Sequence, residues 1–272
     1  MWTPAARAQL AREARPYATS LTDAEWALVA PFLPAPAGRG RPRRWPLRTL
    51  LDAVLYVLRT GIAWRHLPRE FPPWPTVHRW FLRLSRAGAF ERLGHALTMA
   101  DRERAGRASS PTGAVLDAQA ARSGGVGAAG ARGYDPARRV VGRKRHLLTD
   151  TDGRLLLAAV SPADVHDSNG GVLLLRASRR PWPFLARCFA DRAYAGERVA
   201  TATSVAVTVV GAAEGQRGFV VHPRRWVIER TFGWLGRCRR LARDHEATPS
   251  SALAFLVLAA AMVLVRRLAR PF

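Results

Sequence analysis

Three acidic side chains stand where carboxylate chemistry can be built. Asp117 directly follows the apolar run Ala114-Val-Leu116, and Asp191 directly follows Leu185-Ala-Arg-Cys-Phe-Ala190. Glu229 lies inside His222-Pro-Arg-Arg-Trp-Val-Ile-Glu-Arg-Thr-Phe-Gly-Trp234. The two apolar runs read as strands, which puts both aspartates at strand ends, where α/β sheets assemble their ligand sites. The third segment reads as a helix on which His222, Arg225 and Glu229 share a face. Carboxylates from two strand ends and one helix can hold two divalent ions about 3.5 to 4 Å apart. One ion would activate a water or a 3′-hydroxyl, and the other would stabilise the leaving oxygen of a phosphodiester. Mg2+ suits the role because it is hard and takes oxygen ligands, and Mn2+ is able to serve. Taken singly, each aspartate reads more simply as a turn residue ending a strand. Arg225 and Glu229 could likewise be only an ion pair, although Arg before Glu is the weaker order at this spacing.

The charge balance supplies a partner for such a site. The 272 residues carry 43 Lys and Arg against 20 Asp and Glu, a formal charge of +23, and nearly half the chain is hydrophobic. A chain of this kind buries a core and meets a polyanion, most often nucleic acid. Lys144 is the single lysine, so arginine carries almost all of the positive charge. Two cysteines, Cys188 and Cys238, are too few for a disulfide framework or a zinc cluster, and the N-terminal segment lacks a signal-peptide core. The longest apolar run, 252–265, is shorter than the roughly 20 residues a membrane crossing needs and reads as a buried helix. These features point to a cytoplasmic protein with no membrane partner.

The elements that must position the carboxylates fall into two groups. Residues 1–100 read as helices. Thr22-Asp23-Ala24-Glu25 is a capping box opening the apolar stretch 26–33, and a second helix over 47–59 stops at Gly61. Between them lies a basic loop with Arg39, Arg41, Arg43 and Arg44. A third helix from about Thr76 places Val77, Trp80, Phe81 and Leu84 on an apolar stripe and His78, Arg79, Arg83 and Arg86 on other faces, the pattern of a helix that enters a major groove. It could equally be a solvated basic helix. Residues 101–112 read as a linker. Over 113–272 the period shortens, with strands at 115–116, 145–149, 155–160, 185–189 and 205–210, and helices at 167–178, 193–203, 223–242 and 252–265. The class is α/β, a mixed sheet flanked by helices. Arg143-Lys144-Arg145 enters a strand expected beside the one bearing Asp117 and is a candidate for phosphate contact. Arg225, Arg230 and Arg237 would hold the polyanion that the carboxylates repel.

At these residues the sequence resembles the IS5-type insertion-sequence transposases of bacteria, within the DDE transposase group. The resemblance runs over nearly the whole chain, from Leu21-Thr-Asp-Ala-Glu-Trp26 to the C-terminal apolar helix. It is carried by Arg39-Gly-Arg-Pro42, Tyr56-Val-Leu-Arg-Thr-Gly-Ile-Ala-Trp-Arg65, Leu116-Asp117-Ala-Gln119 and Gly142-Arg-Lys-Arg-His146. Ala163-Asp-Val-His-Asp167, Ala190-Asp191-Arg-Ala-Tyr194 and Arg225-Trp-Val-Ile-Glu229-Arg-Thr-Phe-Gly-Trp-Leu235 continue it. It implies an RNase H-like catalytic domain over 113–272, with Asp117, Asp191 and Glu229 as catalytic and metal-binding triad. It also implies a helical, helix-turn-helix-like region over 1–100 that binds the element's terminal inverted repeats. Related transposases carry Tyr-x2-Arg-x3-Glu-x6-Lys on the helix bearing the Glu. Here His222 stands at the Tyr position, and Gly236, with Arg237 beside it, at the Lys position. A dimer or larger assembly on double-stranded DNA, in the bacterial nucleoid, is further implied.

Gly125-Val-Gly127-Ala-Ala-Gly130 satisfies a dinucleotide-binding pattern, but no helix follows it and it carries little weight in a Gly- and Ala-rich stretch. His166 and His222 are not needed as general bases in two-metal phosphoryl transfer. The reading is therefore a DNA transposase that cuts element ends and joins their 3′-hydroxyl strands to target DNA. The alternatives are an RNase H-like nuclease that cuts without joining, and a helix-turn-helix DNA-binding protein or decayed transposase whose carboxylates are structural.

Overall fold

The computed structural model describes residues 3–4, 17–35, 42–124, 132–210 and 226–270. Helix α1 spans Asp23–Val29 and opens with the expected capping box. The backbone N–H of Glu25 donates to Thr22 Oγ1 at 3.0 Å, and that of Thr22 to Glu25 Oε2 at 2.9 Å. Two longer helices follow, α2 over Leu47–Thr60 and α3 over Trp74–Arg86. Gly61 ends α2 at φ +76°, a conformation that other residues adopt only with strain, and a Cβ there would also sit 3.0 Å from the Arg239 backbone. In α3 the stripe Val77, Phe81 and Leu84 is buried as its spacing predicts.

Helix α4 covers Ala89–Arg104 and corrects the expected linker, because residues 101–104 are helical. Asp101 and Arg102 are buried there in an ion-pair network: Arg102 meets Asp150 at 2.5 Å, and Arg154 meets Asp101 at 2.6 Å and Asp150 at 3.0 Å. A segment without apolar residues is thus held by buried charge pairing rather than left as a tether.

Six strands form one sheet. They are β1 Gly113–Arg122, β2 Gly133–Asp135, β3 Val140–Asp150, β4 Leu155–Pro162, β5 Arg187–Ala190 and β6 Ala206–Val209. The order is β2-β3-β1-β5-β6, with β4 also paired to β3. β3 runs antiparallel to β1, β2 and β4, while β5 is parallel to β1 and β6 parallel to β5, the RNase H-like mixed arrangement. Helix α5, Asp167–Ser178, packs on one face. The long helix expected over 193–203 is reduced to a 3-10 turn at Arg192–Tyr194 and the short α6 at Glu197–Ala200. Helix α7 spans Trp226–Gly236, and a separate 3-10 turn, Arg239–Leu241, replaces the rest of the helix expected to reach Ala242.

The C-terminal helix α8, Pro249–Leu268, is longer than the apolar run that announced it. By length and composition it is the one helix among the described residues that could cross a membrane, and 72% of its apolar window is buried inside the protein. It packs against α4 and β4 and lies in one apolar cluster with side chains from α1 to α4 and α7, together with Val115 and Leu147 of the sheet. A second cluster on the opposite face joins Ala114, Leu116 and Leu148 to Leu174 and Leu175 of α5. The period-2 alternation of β1 feeds both.

His146 shows how closely α5 sits on β3. Its ring is fully buried, Nε2 lies 2.8 Å from Ser161 Oγ, and a Cβ at Gly170 would come within 2.3 Å of the ring. Burial pushes its pKa down to about 4, with Lys144 and Arg138 in the same direction and Asp167 opposed. The unfolded chain takes this proton near pH 6.5, whereas the folded chain resists it until about pH 4. Stability is therefore level above pH 6.5 and falls between these values, by about 2 kcal/mol from pH 6.5 to 5. Urea unfolding of wild type and His146→Gln at both pH values checks this, and the variant is expected to lose that part of the acid slope.

Candidate active site

The site is built from the junction of β1 and β5. Their parallel register pairs Gly113 with Arg187, Ala114 with Cys188 and Val115 with Phe189. Continued by two residues, it sets Asp117 opposite Asp191, one interstrand spacing of about 4.8 Å away. Asp191 stays extended at φ −83°, ψ −179°, just past the end of β5. Alternation sends Asp117 to the same face as Val115, the face on which α7 packs against β1 and Ile228 joins Val115 in the core. Asp117 Oδ1 accepts the N–H of Ala118 at 2.7 Å, and Asp191 Oδ1 accepts that of Ala193 at 2.9 Å. Both carboxylates are half-buried and fixed by their own local backbone.

The expected strand-end position is right for Asp191 and corrected for Asp117. β1 continues to Arg122 because 118–122 keep pairing with 142–146 of β3, so Asp117 stands mid-strand. Its run of small residues, Ala118-Gln-Ala-Ala121, does not announce a strand.

Glu229 lies on α7 and is exposed. Among the described residues, no three His, Cys, Asp or Glu side chains form a cluster that could hold a metal ion. The β1–β5 register carries Asp117 and Asp191 to level positions on adjacent strands, and Glu229 lies on the helix covering that face without closing a three-ligand set. Paired carboxylate oxygens on adjacent strands are hard donors and fit a hard divalent cation.

Behind the pair lies a polar layer that sequence reasoning missed. Tyr194 is buried, its hydroxyl has no hydrogen-bond partner among the described residues, and its pKa is raised by burial and then by Asp117, Asp167 and Asp191. Asp167 opens α5, with Oδ1 2.9 Å from Lys144 Nζ and Oδ2 3.6 Å from Arg138. Lys144 Nζ also meets Asp135 Oδ2 at 3.5 Å and donates to the Val165 carbonyl at 3.0 Å. The signal available beforehand was Lys144 itself, the one ammonium in a chain otherwise supplied with guanidinium.

That layer corrects the reading of Arg143, Lys144 and Arg145 as phosphate contacts, since they are only 1%, 7% and 6% exposed. Arg143 pairs with Asp244 at 2.9 Å and donates to the carbonyls of Glu246 and Ala247, and Arg145 donates to the Leu241 carbonyl at 2.6 Å. Alternation along β3 sends these two guanidiniums to one face and the ammonium to the other, each onto an internal partner. His78 is partly engaged inside the protein. It is half-buried against Trp64, with ring centroids 5.0 Å apart, and burial followed by Arg240 lowers its pKa. Arg230 is committed too, its guanidinium 4.4 and 4.5 Å from the rings of Trp226 and Trp234 while it donates to the Asp152 carbonyl at 2.7 Å.

Other expected DNA contacts are at the surface. Arg44, Arg79, Arg83 and Arg237 are exposed and Arg43 is half-buried. Arg43 and Arg83 both lie over the Trp80 ring, at 5.7 and 4.7 Å, and Arg44 over Trp45 at 5.5 Å. Arg225, His222, Arg39, Arg41 and the glycine pattern at 125–130 lie outside the described residues.

Comparison with known proteins shows which family the chain belongs to. The family described as "Transposase DDE domain" matches residues 108–264, and the one described as "Putative transposase of IS4/5 family" matches 21–94. In Burkholderia cepacia, the "Insertion element IS402 uncharacterized 16.2 kDa protein" is 33% identical over 117 residues, 39% of this chain and 76% of that protein. The "Putative transposase for insertion sequence element IS402" of the same organism is 30% identical over 138 residues, 47% of this chain and 65% of that protein. No solved structure matches the chain. With an RNase H-like sheet, two aspartates abreast on its central parallel strands and a family match over most of its length, the chain belongs to the DDE transposases of insertion sequences.

Proposed function

We propose that the protein cleaves DNA at the terminal inverted repeats of its element and joins the freed 3′-hydroxyl strands to target DNA. Transposases of this family act on DNA with a divalent metal. The observation that carries the reading is the placement of Asp117 and Asp191 side by side on the α7 face of a DDE-family sheet.

In this reading Asp117, Asp191 and Glu229 hold two Mg2+ ions. When bound, these supply activation of the attacking hydroxyl and neutralisation of charge on the phosphodiester oxygens. The chain's own residues do the rest. The N–H groups of Ala118 and Ala193 each fix one carboxylate oxygen and so orient the pair. Lys144 neutralises Asp167 and Asp135 behind the site, limiting how much negative charge the substrate phosphate meets. Arg43, Arg44, Arg79 and Arg83 of the helical region 1–100 meet the duplex backbone, and Arg225 and Arg237 hold phosphates near Glu229. Two element ends must meet, so a homodimer or larger assembly forms on DNA in the cytoplasm.

Incubating the purified chain with terminal-repeat duplex, target plasmid and Mg2+ tests this. Joined products are expected. Cutting without joining would replace the reading with a nuclease, and binding without either reaction with a DNA-binding regulator.

A further inference from the structure

Four helices end at one place in this fold. The C-terminal turns of α2, α4 and α8 and residues just past α7 and α8 bring Arg59, Arg104, Arg237, Arg266, Arg267 and Arg270 around a groove of about 450 Å³. Its floor is apolar, from Trp234 of α7 and Ala259, Met262 and Val263 of α8. Six guanidiniums in one groove repel each other, so something must make the arrangement tolerable. Helix C-termini do part of this, because the partial negative charge of their free carbonyls favours cations. Backbone carbonyls also take guanidinium donors directly: Arg59 donates to the Arg237 carbonyl at 2.8 Å and Arg104 to that of Arg267 at 2.8 Å.

Carboxylates do much less. Asp101 pairs with Arg267 at 2.8 Å and Arg104 at 3.6 Å but is also engaged by Arg154, and Glu25 lies 4.0 Å from Arg266. Among the described residues, Arg59, Arg237 and Arg270 have no carboxylate within ion-pair distance. The groove is positive, and its shape is maintained by helix ends rather than by acidic partners.

We propose that this groove is a docking site for the sugar–phosphate backbone of duplex DNA flanking the reacting phosphate. The inference rests on the transposase reading above and adds a contact surface to it. Guanidinium forks pair with phosphate oxygens, and an apolar floor accepts deoxyribose, whereas an isolated small anion would use only a fraction of the six arginines. Arg237 stands eight residues beyond Glu229, about 12 Å along the helix axis at 1.5 Å per residue. That is the rise of about three to four base pairs, so DNA engaged at the carboxylates reaches the groove within half a turn. Because Arg59 and Arg104 come from α2 and α4, Arg266 from α8 and Arg270 from just past it, the bound strand ties the N-terminal helices to the C-terminal one.

The test is the salt dependence of duplex binding, read by fluorescence anisotropy on the full chain. Arg59→Ala/Arg270→Ala removes two exposed guanidiniums without carboxylate partners, and unchanged thermal melting verifies its fold. It is expected to weaken binding of a long terminal-repeat duplex about tenfold and to lower the slope of log K against log salt by about 2. On a duplex trimmed to end at the cleavage position, the variant and wild type are expected to bind alike. Arg176→Ala/Arg180→Ala, two exposed arginines on and just past α5 at the opposite face of the sheet, serves as the comparison and is expected to leave the slope unchanged. An unaltered slope in Arg59→Ala/Arg270→Ala, with wild type still binding and joining, overturns the groove alone. Equal weakening on long and trimmed duplexes also overturns it, since the site would not be reading flanking DNA. Absence of salt-dependent binding by wild type overturns both the groove and the function beneath it.

Discussion

Asp191→Asn is expected to lower strand transfer at least a thousandfold while leaving the protein as stable as wild type or slightly more so. The substitution keeps an oxygen to accept the Ala193 N–H and changes no volume, so the turn after β5 survives. What it removes is a formal charge from a pair of carboxylates one strand spacing apart, and with it a hard ligand for a divalent cation. A loss of about 4 kcal/mol in transition-state stabilisation corresponds to that factor. Asp117→Asn should behave the same way, and the double variant should be no worse than either single one, because the two aspartates act as a unit. Glu229→Gln tests the third member separately. The readouts are strand-transfer rate in Mg2+ and melting temperature. A variant with wild-type joining would remove its residue from the triad, and a variant that melted early would mark its aspartate as structural.

The second large effect concerns stability. Arg143→Ala is expected to cost about 3 to 5 kcal/mol, the range for stranding one partner of a buried pair, and to lower the melting temperature by about 10 °C. Arg143 is fully enclosed, and its removal leaves Asp244 buried without its guanidinium and the Glu246 and Ala247 carbonyls without donors. Replacing both partners, as Arg143→Met/Asp244→Leu, should recover part of the loss because no lone charge remains. Thermal and urea unfolding measure both variants. Unaltered melting of Arg143→Ala together with a salt slope reduced by about 1 would return this residue to the DNA-facing surface.

Much of this architecture was legible in the chain because its signals are local. The capping box at Thr22, the stripe in α2 and the stop at Gly61 each depend on neighbours within a turn or two, and the structure keeps them. Asp117 and Asp191 were legible as the first charges after apolar runs, and parallel pairing of those runs then sets them abreast. The misread features depend on partners far along the chain. Arg143-Lys144-Arg145 has the look of a solvated run until Asp244, about a hundred residues later, is seen to meet it. The basic helix α3 hides His78 in an aromatic contact with Trp64 that no periodicity announces. Asp167 and the groove arginines other than Arg237 escaped for the same reason, since positions 59, 104 and 270 become neighbours of 237 only when four helices end together.

The position of α8 has a consequence for how the protein is made. Its apolar side chains fill the core under α1 to α4 as well as under the sheet. The ribosome therefore releases the first helices long before the element that completes their interior has been synthesised. They wait through more than half of translation with Val29, Leu50, Leu51, Phe81 and Phe90 lacking their final partners. A chain that stops before residue 249 lacks the side chains that close the apolar cluster over α1 to α4, and the helical region is expected to stay unfolded without them, which limited proteolysis of a 1–248 fragment checks.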